Sequence, residues 1–241
     1  MANDVDEELL PRVTAANLRG PELQCGRRLA LELENRPRAT RAANVRWRLS
    51  NRISADVRLA HTELQAADPA WFHAGTDLLP EEQALYTVAT RAYCALFADR
   101  PAIARDPIEW STDVPDLGVR LLGPAPLLLD DEQGAPEVRL LRFHQRELGP
   151  DLASTVEVQF VVARIRPGLD KHRGGPTVRV CVADLVDGTY DEVTVDPYDP
   201  ARDAWLAERV GAAQLAADEA RVRQGHECAR CGYVPGCKAH R

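Results

Sequence analysis

The chain is short of aromatic residues, carries no basic excess and has no long apolar run, and each shortage excludes something. Aromatics make up 5% of the 241 residues, although 45% of the chain is hydrophobic. A core is therefore available, but Leu, Val and Ala must build most of it, in one large domain or two small ones. The formal net charge is −7. A protein that coats nucleic acid indiscriminately carries a basic surplus, because phosphate neutralisation drives that binding, so this class is excluded. No apolar run approaches the roughly 20 residues needed to span a bilayer. The first residues, Met-Ala-Asn-Asp-Val-Asp-Glu-Glu, are acidic and lack the apolar stretch of a signal peptide. The expectation is a cytoplasmic protein without a membrane partner, whose cysteines are reduced, buried or metal-bound.

Basic residues do cluster locally, at Arg27, Arg28, Arg36, Arg38, Arg41, Arg46, Arg48 and Arg52. Charge of that kind reads first as a solvated helix face. Residues 1–18 read as a lead-in or a short first helix, and 21–67 as largely helical, with 51–65 the clearest amphipathic stretch. A loop over 68–76 precedes a helix that opens at Pro80-Glu81-Glu82, where proline suits the first turn and acids suit the positive end of the helix dipole. Pro101 stops it. Short apolar runs follow at 108–112, 117–122, 127–129 and 137–143, with a turn at 130–134, and read as an antiparallel meander. Residues 155–165 are ambiguous: β-branched content favours a strand, position favours a helix crossing back. Asp187-Gly188 marks a hairpin between strands at 177–184 and 190–195, and 200–223 is an Ala-rich helix. This order predicts one α/β (α+β-like) domain over 1–241, with a mainly helical part at 1–100, a sheet core at 105–195 and a C-terminal helix and cysteine cluster at 200–241.

The chain has 6 cysteines. Cys94 and Cys181 sit in apolar helix and strand patterns and read as core residues. Cys228, Cys231 and Cys237 form a C-x2-C-x5-C run, with Gly232 and Pro235-Gly236 permitting turns between ligands. Three thiolates from one short loop leave one metal coordination position open. Cys25, in Gln24-Cys25-Gly26-Arg27, is the remaining loop-like cysteine. A four-cysteine set suits an iron–sulfur cluster or tetrahedral Zn2+, and a mixed zinc set would use His226 or His240 instead of Cys25. Spacing leaves iron and zinc both open.

Cys25 in a Leu-x-Cys-x-Arg context near one chain end, with the C-x2-C-x5-C run near the other, resembles the iron-staple nucleases. These are the RecB-like and AddB-like branch of the PD-(D/E)XK superfamily, together with the CRISPR-adaptation exonucleases. The resemblance implies a nuclease-like mixed central sheet flanked by helices. It also implies that a [4Fe-4S] cluster on Cys25, Cys228, Cys231 and Cys237 joins the chain ends. Active members place a His on an early helix, an Asp in Gly-x-x-Asp, an (Asp/Glu)-x-Lys on the next strand, and a Gln-led helix. Two carboxylates hold a divalent cation that activates water, and the lysine offsets developing charge.

This chain departs from that pattern. Gly123-Pro124-Ala125-Pro126 stands where Gly-x-x-Asp is expected, so the metal-binding Asp falls on Pro126. Arg142 takes the place of the second carboxylate and His144 that of the lysine; the early His falls on Ser54, and Gln159 fits the Gln-led segment. A cation at Pro126 and Arg142 has no anionic ligand. Asp130, Asp131 and Glu132 are the carboxylates available for a rescue with Mg2+ or Mn2+; His61 and His73 read as surface or helix-packing residues. The expectation is a nuclease-like iron–sulfur protein without catalysis, acting as a DNA-associated binding or scaffold subunit in DNA repair, recombination or phage defence, beside a helicase or an active nuclease subunit. The alternatives are an active metal-dependent DNA exonuclease and a zinc-binding α+β protein.

Overall fold

A computed structural model describes residues 10–21, 24–34, 45–62, 68–105, 111–124, 126–143, 151–169, 177–220, 228, 231, 233 and 237, with side chains in the second helix described from Leu49 onward. Within it the chain forms a mixed α/β structure of two mixed sheets and five helices, an α+β class. It divides into two compact units. The first comprises residues 1–42, 111–123 and 204–241, the second 43–110 and 124–203.

In the first unit, β1 (Arg12–Thr14) pairs in parallel with β4 (Val119–Leu122), and β4 pairs antiparallel with β3 (Ser111–Val114). Helices α1 (Gly26–Leu33) and α5 (Pro200–Asp218, from Ala204 in this unit) complete it. Its buried residues include Val13, Leu18, Leu29, Val119, Leu121 and Val210. The strand at 12–14 replaces the lead-in or first helix expected over 1–18. Three residues are too few for a periodic signal, and only the pairing with β4 makes them a strand.

The second unit holds a sheet in the order β2-β5-β6-β7-β8. Its strands are β2 (Ala102–Ala104), β5 (Leu127–Asp131), β6 (Pro136–Arg142), β7 (Val178–Asp184) and β8 (Thr189–Val195). All neighbours run antiparallel except β6 and β7, which are parallel. A parallel pair needs a crossover, and α4 (Val156–Ile165) supplies it. That settles the ambiguity at 155–165 in favour of helix. Val158, Val161, Val162 and Ile165 lie buried at helical spacing against Leu128, Val138, Val180 and Val182. Helices α2 (Val45–Ala60) and α3 (Pro80–Leu96) pack on the opposite face, where Leu49, Ile53, Val57, Tyr86 and Tyr93 meet Leu127, Leu129, Cys181 and Ala183. The four runs expected as one meander are thus split: β3 and β4 belong to the first unit's sheet, and β2 takes their place beside β5.

Both hairpin turns follow their chemistry. Asp131 Oδ1 accepts from the amides of Gln133 and Ala135 at 3.0 and 2.8 Å, and Gly134 has φ +78°. Asp184 Oδ1 accepts from Val186 and Asp187 at 2.9 and 3.1 Å, and Gly188 has φ +66°. Aspartate side chains that cap a turn, followed by a left-handed glycine, are the expected solution for a tight reversal.

Candidate functional site

All the cysteines outside the core lie in the first unit. Cys25 is the N-cap of α1, and its carbonyl accepts from Leu29 N–H at 3.0 Å. The residue before it anchors the approach. Gln24 Nε2 donates to Ala16 O at 2.8 Å, to Arg19 O at 2.9 Å and to Asn17 O at 3.3 Å. One amide thereby holds the loop between β1 and α1, which spacing alone did not reveal. At the other end Cys231 N–H donates to Cys228 O at 3.1 Å, so C-x2-C closes a turn. Cys25, Cys228, Cys231 and Cys237 are half-buried and outside any disulfide, whereas Cys94 and Cys181 are buried as expected for core residues. Burial pushes the Cys94 thiol up to about 11 and the Cys181 thiol up to about 12, so neither is a reactive thiolate near neutrality. A cleft of about 770 Å³ in this unit is lined by Pro11 and Arg12 before and on β1, Leu33 and Glu34 at the end of α1, and Gln214 and Asp218 on α5. Segments from near both chain ends therefore meet here. The donor chemistry fits a thiolate-ligated metal. The geometry does not show it: among the described residues, no three His, Cys, Asp or Glu side chains are arranged to hold a metal ion.

The positions that the sequence resemblance assigns to nuclease catalysis lie in the second unit. Pro126 precedes β5 and Arg142 ends β6, and the register that sets Leu127 opposite Arg139 carries both to the same end of the hairpin. Arg142 is beside Asp184 on β7, where Leu185 N–H donates to Arg142 O at 2.9 Å. Arg164 on α4, 2% exposed, donates from Nη1 to Pro124 O at 2.8 Å, and burial lowers its pKa to about 10. His144 lies outside the described residues. The alternative carboxylates have other work. Asp130 is ion-paired with Arg105 at 2.6 Å, Asp131 caps its own turn and stands 3.5 Å from Arg179, and Glu132 is exposed. Gln159 donates from Nε2 to Ala153 O at 2.9 Å. His73 is exposed, as expected of a surface residue.

A third constellation escaped the sequence. Glu137, Arg139 and His61 are 1%, 1% and 0% exposed. Arg139 Nε donates to Glu137 at 2.6 Å and Nη1 to Tyr93 Oη at 2.6 Å, while its guanidinium stacks 4.0 Å from the centre of the Phe97 ring. Glu137 also accepts from Arg100 at 3.0 Å and Arg179 at 3.1 Å. Arg100 reaches on to Glu192 at 2.7 Å, and Cys181 lies 3.7 Å from the same carboxylate. Although burial works against the Arg100 charge, its carboxylate partners outweigh it and raise its pKa. Burial raises the Tyr93 phenol and lowers the His61 imidazole. The available sequence signal was the pair Glu137 and Arg139, two residues apart and so on one face of β6. Nothing local indicated that this face is buried. Every one of these cations has an anion or carbonyl partner, so the network rigidifies the sheet under α3.

No protein-family model matches this chain, and no curated protein matches it. A solved structure titled "Crystal structure of SSO0001" is similar at a TM-score of 0.36 and 12% sequence identity, covering 96% of this chain and 88% of that chain.

Proposed function

We propose that this chain is a PD-(D/E)XK nuclease-like iron–sulfur protein without nuclease activity that serves as a DNA-associated binding or scaffold subunit in DNA repair, recombination or phage defence. The observation that carries this reading is the corner of the second sheet at Pro126 and Arg142. Proline and arginine stand there where two carboxylates would hold a divalent cation, and Arg164 binds the Pro124 carbonyl beside them. Cationic side chains repel the metal that phosphodiester hydrolysis of this class requires. The order of antiparallel β2, β5 and β6, then helix α4, then parallel β7 supports the nuclease-like frame. Cys25, Cys228, Cys231 and Cys237 would be the cluster ligands. Their common location in one compact unit supports that choice, and thiols that are not gathered beforehand come together as the metal binds. The cluster would supply a crosslink between distant parts of the chain. A net charge of −7 favours a protein partner, such as a helicase or nuclease subunit, over indiscriminate contact with DNA.

The test is anaerobic purification with iron, sulfide and zinc analysis, and a Mg2+ or Mn2+ cleavage assay on DNA with the same sample. Iron and sulfide without cleavage is the expected result. Zinc without iron would replace the cluster by a zinc site. Metal-dependent cleavage abolished by Asp131→Ala would return the chain to the active exonucleases.

A further inference from the structure

His61 closes the buried network, and its partners determine its protonation state. Nδ1 is 2.8 Å from the carbonyl oxygen of Ala102, which can only accept, so Nδ1 carries the hydrogen. Nε2 is 2.9 Å from Tyr93 Oη and therefore accepts the phenol's hydrogen. The Tyr93 oxygen in turn accepts from Arg139 Nη1. The hydrogen bonds run in one direction, from Arg139 through Tyr93 and His61 to Ala102, with every side chain buried.

A second proton on His61 reverses one link. Nε2 becomes a donor facing a hydroxyl whose oxygen already serves Arg139. The oxygen has a lone pair to spare, but its own hydrogen then loses its acceptor inside the core. Charge also opposes the change. The titratable and charged groups facing His61 are Tyr93 from α3, and Glu137 and Arg139 from β6; β2 offers only its carbonyl. Glu137 is already shared by Arg139, Arg100 and Arg179, so it has little attraction left for another cation.

What His61 holds is a weak corner. Strand β2 has three residues, lies at the sheet edge and pairs with β5 alone among the described strands. Two further bonds fix it to the segment that follows α2: the imidazole to Ala102 O, and Ala104 N–H to His61 O at 2.8 Å. We propose that His61 is a proton-sensitive latch, and that acidification frees β2 and the end of α2 before the remainder of the second unit opens.

Hydrogen exchange of the full chain between pH 5 and 7.5, corrected for intrinsic rates, tests the latch. Protection of Ala104 and Arg105 should fall by up to tenfold per pH unit below about pH 6.5, where the released histidine takes up its proton. Amides on β6 and β7 should hold. The variant His61→Gln, which cannot titrate, should show protection independent of pH in this range. Nitrogen NMR of the wild-type imidazole gives a reading that does not depend on the variant folding. It should report the Nδ1–H tautomer at neutral pH, with the imidazolium appearing together with β2 exchange. An Nε2–H tautomer, unchanged pH dependence in His61→Gln, or a uniform loss of protection across the unit would each overturn the proposal.

Discussion

At Tyr93 one hydroxyl serves two buried neighbours, accepting from Arg139 and donating to His61. Tyr93→Phe keeps the ring on Phe97, 4.9 Å between centroids, and removes only that oxygen. It should lower unfolding free energy by about 1–3 kcal/mol, the cost of leaving a buried polar group unsatisfied, measured by urea denaturation. Glu137→Gln should cost more, about 3–5 kcal/mol, because three guanidiniums lose their shared counter-ion. If the two variants were equally mild, the network would be a solvated surface cluster rather than a buried one. This ordering was illegible beforehand. Glu137 and Arg139 look like ordinary strand charges until α3 is laid across them.

Among the elements, α5 ends in an unusual way. Ala220 has φ +44°, the left-handed region that glycine normally fills after a helix. A left-handed alanine costs about 1–2 kcal/mol, of which the greater unfolded-state entropy of glycine returns about half. Ala220→Gly should therefore raise unfolding free energy by about 0.5–1 kcal/mol in the same urea assay. Destabilisation would mean that the alanine methyl makes a contact of its own. Helix α3, by contrast, was fully legible, because its start is written in local chemistry: Pro80 in the first turn, and the Glu82 carboxylate accepting from Leu79 N–H at 3.0 Å. Helix α4 was not. Its valines satisfy strand and helix equally, and the parallel β6–β7 pair decides between them.

For the whole molecule the decisive variable is the proposed cluster. A crosslink between Cys25 and the C-terminal thiols closes a loop of about two hundred residues, which chain-entropy arithmetic equates with roughly 5 kcal/mol. Cys25→Ser, or removal of iron by chelation, should therefore lower the melting temperature by many degrees, read by anaerobic calorimetry. An unchanged melting temperature in both would remove Cys25 from the ligand set. Cys94→Ala is the control, since Cys94 packs in the core and should lose a few degrees whether or not iron is present.

By itself the sequence determined the chemistry that depends on near neighbours. The C-x2-C turn, the hairpin at Gly188, the start of α3 and the core roles of Cys94 and Cys181 were all readable, because each rests on residues a few positions apart or on simple periodicity. Only the tertiary structure decided which strands share a sheet. It paired β1 with β4 across more than a hundred residues of chain, assigned β3 and β4 to a different sheet from β5 and β6, and put α4 at the crossover. It also chose between the two expected readings of His61, burying it against Tyr93 of α3 as a packing histidine that donates to Ala102 O and accepts from Tyr93. Strand pairing and burial arise from contacts between segments far apart along the chain, and no local pattern of residues encodes which distant segment will arrive.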